Sequence, residues 1–207
     1  MCDKFHGIGL YLSLLTTRLP QYIINIPKKT THIIKPLRQK YSRGIFMSII
    51  HPFDALFDKN SKILILGSFP SVKSREQGFF YGHPRNRFWT VIAKVLEKPV
   101  PATIEEKRSL LLRSGIALWD SIHSCEIEGS ADSSIKNVTP NDISHILRRA
   151  DIRAIFANGK TSGECYMKYV YPQTGRKISV LPSTSPANAA WSVENLVAEY
   201  AKIKEFL

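Results

Sequence analysis

Residues 62–69 read KILILGSF, a short apolar run that ends at a glycine and a serine before Phe69. Continuous apolar runs of this length are typical of strands that are buried on both faces of a sheet. Three further runs share this character: residues 116–122 (IALWDSI), 151–158 (DIRAIFAN) and 177–182 (KISVLP). Segments with helical periodicity lie between them. The alternation predicts an α/β fold with a largely parallel sheet that helices cover on both faces.

The predicted helices span residues 86–96, 104–113, 141–150, 161–169 and 189–207. The first has an apolar face with the spacing of a helix, formed by Phe88, Val91, Ile92 and Val95. The third follows Pro140, and we expect Asn141 to be its N-cap. In parallel sheets of this kind, ligands bind at the carboxyl ends of the strands. The loops after those ends are therefore the candidate sites.

The first 46 residues differ from the rest of the chain. They hold eight basic side chains and one acid, a net charge of +7 out of the +12 of the whole chain. We therefore divide the chain into a basic extension, residues 1–46, and a compact domain, residues 47–207. Three interpretations of the extension compete: a targeting arm, a disordered DNA-binding arm, and an upstream stretch included by a mistaken start codon. The last is slightly favoured, because nothing in the extension completes the pattern that follows.

The three cysteines, Cys2, Cys125 and Cys165, are far apart and form no CxxC pair. This argues against a zinc site, an iron–sulfur cluster and a disulfide framework, so no metal or cofactor is expected. No apolar run approaches the roughly 18–20 residues that a membrane span needs. We expect a monomer in the cytoplasm, or in the nucleus or an organelle if the extension is a targeting arm. The surplus of positive charge is compatible with a nucleic-acid partner.

The loop after the first strand, residues 67–86, is long for a connection between a strand and a helix, and long loops are commonly functional. It holds four aromatic residues and then His83, Arg85, Asn86 and, just beyond, Arg87. Aromatic rings stack on planar ligands, and an amide pairs with their donor and acceptor edges. The composition predicts a loop that binds a planar polar ligand. His83 is more simply a hydrogen-bonded loop residue than a metal ligand, because no second ligand lies at a suitable spacing.

The loop after the last strand, residues 182–188 (PSTSPAN), is rich in small hydroxyl residues and proline. Such a loop suits the close approach of a phosphate or a base, although a capped turn would look similar. Residues 159–161 (GKT) resemble the end of a P-loop. The glycine that a P-loop needs five residues earlier is Ala154, so a nucleoside triphosphate site is not predicted.

Together these segments resemble the signatures of the uracil-DNA glycosylase superfamily and, within it, of the hypoxanthine-DNA (deoxyinosine) glycosylase family. The resemblance rests on GSFPS (67–71), HPRNRFW (83–89), PSTSPAN (182–188) and the landmarks of residues 118–135, and it covers residues 47–207. It implies a four-stranded parallel sheet flanked by helices, and a monofunctional glycosylase that flips deaminated bases out of DNA, chiefly hypoxanthine, in base excision repair. No lysine is placed to act as a Schiff-base nucleophile.

Many members of the superfamily carry an Asp or Asn that activates water at the third position of the first signature, where this chain has Phe69. The resemblance therefore assigns the catalytic role to Asn86, which hydrogen-bonds the base or positions the water. Phe69 is expected to stack on the base. The base-binding set is Gly67, Ser68, Phe69, Tyr81 and Ser183. The DNA-binding set is Ser71, Ser74, Arg85, Arg87, Lys160, Ser185, Pro186, Ala187 and Asn188.

Three alternatives stay open at this point. A mismatch-type uracil or thymine glycosylase would share the fold. A non-catalytic module that binds damaged DNA would explain why Phe69 replaces the usual activator. A hydrolase of free nucleosides is disfavoured because the run of aspartates that binds metal in such enzymes is absent. The partner expected of the glycosylase, and of the first two alternatives, is DNA that contains deaminated bases; no association with a membrane is expected.

Overall fold

The computed structural model describes residues 48–207. Its strands are β1 (Ile49–Ile50), β2 (Ile63–Gly67), β3 (Ile116–Asp120), β4 (Ile122–Glu126), β5 (Lys136–Pro140), β6 (Ala154–Asn158) and β7 (Ser179–Leu181). Its helices are α1 (Val72–Gln77), α2 (Phe88–Val95), α3 (Ile104–Arg113), α4 (Ser144–Arg149), α5 (Lys160–Cys165), α6 (Tyr171–Thr174) and α7 (Val193–Tyr200). A π-helical segment (Tyr166–Val170) joins α5 to α6, and 3₁₀ turns cover Asp132–Ser134 and Ala201–Phe206. The predictions made for residues 1–46 lie outside the described residues.

The central sheet has four strands in the order β3-β2-β6-β7, and every neighbouring pair is parallel. The four predicted strands and their parallel arrangement are confirmed. Side chains of β2 alternate between two apolar cores: Ile63 and Ile65 face one, Leu64 and Leu66 the other. Helices α2, α3 and α7 contribute to the first core, and α4 and the segment after α5 to the second. Helices therefore cover both faces, as predicted.

A second, antiparallel sheet was not predicted. Its strands lie in the order β1-β4-β5, and β4 starts two residues after β3 ends, so the chain passes directly from one sheet to the other. A small apolar cluster lies on this sheet and contains Phe69, Ile122, Cys125 and Ile127. The sheet holds the connection between β4 and β5, residues 127–135, beside the carboxyl ends of the parallel strands.

Several helix boundaries differ from the predictions. The long first loop contains α1, which Ser71 caps by accepting a hydrogen bond from the backbone N–H of Ser74, and which ends at Gly78 with φ 63°. Helix α2 begins at Phe88 rather than at residue 86, and α7 begins at Val193 rather than at residue 189. Only α3 has the predicted bounds.

The prediction that Asn141 caps α4 is wrong. The helix begins at Ser144, whose backbone N–H donates a hydrogen bond to the side chain of Asp142. Asn141 is buried, and its amide donates to the backbone carbonyls of Asp120 (2.9 Å) and Ile122 (3.1 Å). These are the last residue of β3 and the first of β4, so the amide satisfies the carbonyls where the chain changes sheets.

Within residues 48–207, no helix is long and apolar enough to cross a membrane. In the same residues, the His, Cys, Asp and Glu side chains form no group of three or more that could hold a metal ion.

Replacing Asn141 should destabilise the domain. Asn141→Ala removes two hydrogen bonds and leaves two buried carbonyls without a partner, so the free energy of unfolding should fall by about 1–3 kcal/mol. Urea denaturation measures the change. The control is Asn195→Ala, an exposed position on α7, which should change the unfolding free energy by less than about 0.5 kcal/mol. Equal values for the two variants would contradict the role given to Asn141.

Candidate active site

A cavity of 610 Å³ opens at the carboxyl ends of the parallel strands. Gly67 ends β2, Asp120 ends β3, Asn158 ends β6, and Ser183 lies two residues beyond β7; all four line the cavity. Its position agrees with the rule that ligands bind at this edge of a parallel sheet.

The structure brings most of the predicted site residues together. Asn86 and the whole base-binding set line the cavity, as do Ser71, Ser74, Ser185, Pro186, Ala187 and Asn188 from the DNA-binding set. Arg85, Arg87 and Lys160 do not line it. Arg85 and Lys160 are exposed, and Lys160 pairs with Glu164 at 3.5 Å. Ser74 is buried, and its hydroxyl accepts a hydrogen bond from the backbone N–H of Gly82. That these side chains contact DNA stays a prediction.

Asn86 is held so that its two amide atoms have different surroundings. Its Oδ1 accepts hydrogen bonds from the backbone N–H of Phe88 and from the hydroxyl of Thr184, both at 3.0 Å. Because the donor on Phe88 is a backbone N–H, the oxygen must face it, and this fixes the orientation of the amide. The two donors occupy both lone pairs of Oδ1. The Nδ2 group makes no hydrogen bond to the described protein and is left to donate within the cavity.

A polar network behind Asn86 connects it to β6, to the last loop and to α7. Asn158 donates its amide to the hydroxyl of Thr184 (2.9 Å), and its Oδ1 accepts from the backbone N–H of Thr184 and from the hydroxyl of Tyr200, also at 2.9 Å. Thr184 is fully buried, and its hydroxyl donates a hydrogen bond to Oδ1 of Asn86. The network therefore fixes both the catalytic candidate and the last loop to the end of β6.

Arg87 holds the last loop in place. Its guanidinium donates to the backbone carbonyls of Thr184 (3.3 Å), Ser185 (2.7 Å), Asn188 (2.8 Å) and Trp191. The planar group carries five N–H donors in a fixed geometry, which suits several carbonyls at once. With its donors directed at carbonyls, Arg87 stabilises the loop from within. Its predicted contact with DNA stays a prediction.

The floor of the cavity is formed by a buried carboxylate. Asp120 is 4% exposed, and its Oδ2 lies 2.9 Å from Nε2 of the buried His51. Its Oδ1 occupies the space beside Gly67, where a Cβ atom would lie only 2.1 Å away from it. Position 67 is therefore a glycine because the carboxylate of the neighbouring strand needs that space.

Phe69 and Tyr81 line the cavity but are mainly part of the protein interior. Phe69 is 7% exposed and packs in the small apolar cluster of the antiparallel sheet, with the guanidinium of Arg75 5.9 Å from its ring centre. Tyr81 stacks on Phe88 with the ring centres 4.0 Å apart. Burial, reinforced by the charge of Asp120, raises the pKa of Tyr81 far above its usual value, so its hydroxyl stays protonated. That either ring stacks on a base stays a prediction.

One wall of the cavity was not predicted as part of the site. It comes from the connection between β4 and β5 and consists of Ile127, Ser130, Ala131, Asp132 and Ser133. The carboxylate of Asp132 accepts a hydrogen bond from the hydroxyl of Ser68, whose oxygen lies 3.1 Å from each carboxylate oxygen. The Gly-Ser-x-Asp-Ser run at residues 129–133 could have indicated this wall, but nothing in its spacing places it opposite residue 68.

The chain is similar to known proteins in sequence and in fold. The family model described as the uracil DNA glycosylase superfamily matches residues 55–206. A hypoxanthine DNA glycosylase of Methanosarcina acetivorans is 36% identical over 142 residues, which cover 68% of this chain and 89% of that protein. One of Methanosarcina barkeri is 33% identical over 138 residues, which cover 66% and 86%. A solution NMR structure from M. acetivorans, described as a candidate uracil DNA glycosylase, has a TM-score of 0.66 at 33% identity and covers 77% of this chain and 99% of that one.

Arg87→Lys should loosen the last loop although it keeps the charge. A lysine ammonium cannot reach four carbonyls in the geometry of a guanidinium. Amide hydrogen exchange of residues 184–191, followed by mass spectrometry, should become about tenfold faster, which corresponds to about 1.4 kcal/mol of local stability. Arg85→Lys, two residues earlier and exposed, is the matched control and should leave the exchange unchanged. Equal exchange in both variants would contradict the stabilising role of Arg87.

Proposed function

The chain belongs to the uracil DNA glycosylase superfamily, and we propose that it is a monofunctional DNA glycosylase that removes deaminated bases, chiefly hypoxanthine. The observation that carries this proposal is the orientation of Asn86, which directs amide N–H donors into a cavity at the strand ends. Both Methanosarcina relatives are named hypoxanthine DNA glycosylases and are 33–36% identical to this chain.

The residue at position 69 favours hypoxanthine over efficient removal of uracil. Where many members of the superfamily have a polar group that activates water, Phe69 offers an apolar ring packed among Ile122, Cys125 and Ile127. A ring in this position cannot orient a water molecule. The polar chemistry of the site must therefore come from other side chains, and Asn86 is the candidate that the first loop supplies.

In the proposed reaction the target nucleotide leaves the base stack and enters the cavity. Flipping costs a few kcal/mol, and least for a mispaired base such as inosine opposite thymine. Hypoxanthine shares with guanine the acceptors O6 and N7. Because Oδ1 of Asn86 already accepts two hydrogen bonds, the residue acts through Nδ2 as a donor to the base. This donor stabilises the negative charge that the base gains as the N-glycosidic bond breaks, and such donors are worth roughly 3–4 kcal/mol.

The surroundings of the cavity suit a DNA strand. The exposed cations Arg85 and Lys160 are available to phosphates. Residues 186–188 line the cavity, and we propose that this segment enters the minor groove beside the flipped nucleotide. No lysine is among the cavity-lining side chains of the described chain, which supports a monofunctional enzyme that leaves the DNA strand intact.

A panel of duplex oligonucleotides tests the function. Strands that carry inosine, xanthine or uracil, each opposite cytosine or thymine, are incubated with the enzyme and then treated with alkali to reveal abasic sites. Inosine should give the fastest release, and no strand should break before the alkali step. An unmodified duplex is the control. Fastest release of uracil, or of thymine from a mismatch, would favour the mismatch-type alternative. Saturable binding without release of any base would favour a non-catalytic module.

Two variants of Asn86 test its role as a donor. Asn86→Ala should lower the single-turnover rate on inosine at least about tenfold, with the affinity for DNA mostly retained. Asn86→Asp keeps an acceptor for Phe88 and Thr184 but removes the N–H donors, so it should lose at least as much activity. If the residue instead oriented water through its oxygen, Asp would retain activity. The control variant is Asn195→Ala, on the exposed face of α7, which should release hypoxanthine at the wild-type rate.

A further inference from the structure

We propose that Asp132 is a second catalytic residue of the glycosylase reaction and that its carboxylate orients the attacking water and accepts its proton. The inference rests on the proposed function. It assigns the part of the reaction that neither Phe69 nor Asn86 can perform.

The reaction needs an acceptor for the hydrogen of water that neither Phe69 nor Asn86 provides. A water molecule that attacks carbon must be held by a group that can accept its hydrogen. Phe69 has no polar atom, and Oδ1 of Asn86 already accepts from Phe88 and Thr184. Among the other cavity-lining side chains, His83 already accepts the backbone N–H of Arg85 through Nδ1 (3.1 Å), and the remaining basic acceptors are carboxylates.

Two carboxylates line the cavity in the described chain, those of Asp120 and Asp132. Asp120 is 4% exposed, lies below Gly67, and has one oxygen engaged by His51 at 2.9 Å. Asp132 is exposed on the 3₁₀ turn between β4 and β5. Only Asp132 combines a position on the wall of the cavity with access for water.

The carboxylate of Asp132 is directed at the first loop. Both oxygens lie 3.1 Å from the hydroxyl of Ser68, the residue directly before Phe69. A carboxylate from another loop thus reaches the immediate neighbour of the position that carries the activator elsewhere in the superfamily. The hydroxyl has one proton, so it fixes the orientation of the carboxylate and leaves it capacity to accept a hydrogen bond from water.

The electrostatic surroundings support the role of a base. Although the residue as a whole is exposed, the atoms packed around its carboxylate desolvate it and raise the pKa of Asp132; the hydrogen bond from Ser68 lowers this pKa, and the negative charge of Asp120 raises it further. A base whose pKa lies closer to neutral accepts a proton more effectively. The other titratable or charged groups that act on this region or line the cavity are Arg75, Tyr81, His83, Cys125 and Cys165.

The proposed step balances without a further reactant. The bond between C1′ of the sugar and N9 of hypoxanthine breaks, and its electron pair leaves with the base. The water oxygen bonds to C1′, one of its hydrogens stays as the new hydroxyl, and the other passes to Asp132. The base then takes one proton from solvent, and Asp132 returns its proton to solvent. The products are an abasic site and free hypoxanthine.

The test is the single-turnover release of hypoxanthine by wild-type protein, Asp132→Asn and Glu128→Gln. Asp132→Asn keeps the shape and an acceptor for Ser68 but removes the basic carboxylate, so the rate should fall by about 100-fold or more. Affinity for the inosine duplex should not fall, because the change keeps the shape of the side chain and removes a negative charge that would repel phosphates. Glu128→Gln removes the same charge from the same loop at an exposed position that does not line the cavity, and its rate should match the wild type.

The dependence on pH separates catalysis from a structural role. The wild-type rate should fall as the pH drops through the pKa of Asp132, since the protonated acid cannot accept a proton. In Asp132→Asn this fall of the rate at low pH, the acidic limb of the pH–rate profile, should be absent. Ser68→Ala, which only removes the orienting hydroxyl, should keep the limb and lose less of the rate than Asp132→Asn.

The outcomes distinguish the two proposals. If the wild type releases hypoxanthine and Asp132→Asn stays within threefold of it, the role of Asp132 is wrong and the function stands. Equal losses in Asp132→Asn and Ser68→Ala, with the acidic limb unchanged in both, would make Asp132 a support for Ser68 only. If the wild type releases no base at all, both proposals fall.

Discussion

Strand β2 pairs in parallel with β3 on one side and β6 on the other, and the geometry of the site depends on these pairings. All five residues of β2 are buried, and its last residue, Gly67, lies in register with Asp120. The ends of the strands therefore meet at one edge of the sheet, as parallel pairing requires. At that edge the carboxylate of Asp120 occupies the space beside Gly67. The Asp120 side chain fits there only because residue 67 has no side chain.

The two signature loops are about a hundred residues apart in sequence, and polar rather than apolar contacts join them. Arg87 donates to carbonyls of the last loop, and Asn86 accepts from Thr184 of the same loop. Each such bond contributes on the order of 1 kcal/mol to stability, and more when the donor is charged. Directional bonds also fix positions more closely than apolar packing does. This suits a site that must hold a base and a water molecule in a defined geometry.

Much of the fold follows from the sequence because buried parallel strands are apolar on both faces and leave a strong local signal. The runs around Ile65, Leu118 and Phe156 are of this kind, and all three are strands. The antiparallel sheet leaves no such signal, since β4 (IHSCE) mixes buried and exposed residues irregularly and follows β3 after a single residue. Asn141 shows the same limit: a polar residue after proline suggests a cap, but its burial against two carbonyls depends on strands distant in sequence.

The candidate site likewise has a part that the sequence predicts and a part that it does not. The residues of the two signature loops could be predicted because their order and types resemble a known family. The wall with Asp132 could not be placed, because the unpredicted sheet determines where residues 127–135 lie.

The substitution at position 69 is consistent with this arrangement. Phe69 joins the apolar cluster of the antiparallel sheet with Ile122, Cys125 and Ile127. A charged carboxylate among these apolar side chains would lose much of its hydration, at a cost of several kcal/mol. The aromatic ring stabilises the sheet that positions residues 127–135, and therefore the carboxylate beside Ser68. In this chain, the apolar ring at position 69 and the carboxylate that we propose as the acceptor therefore depend on the same antiparallel sheet.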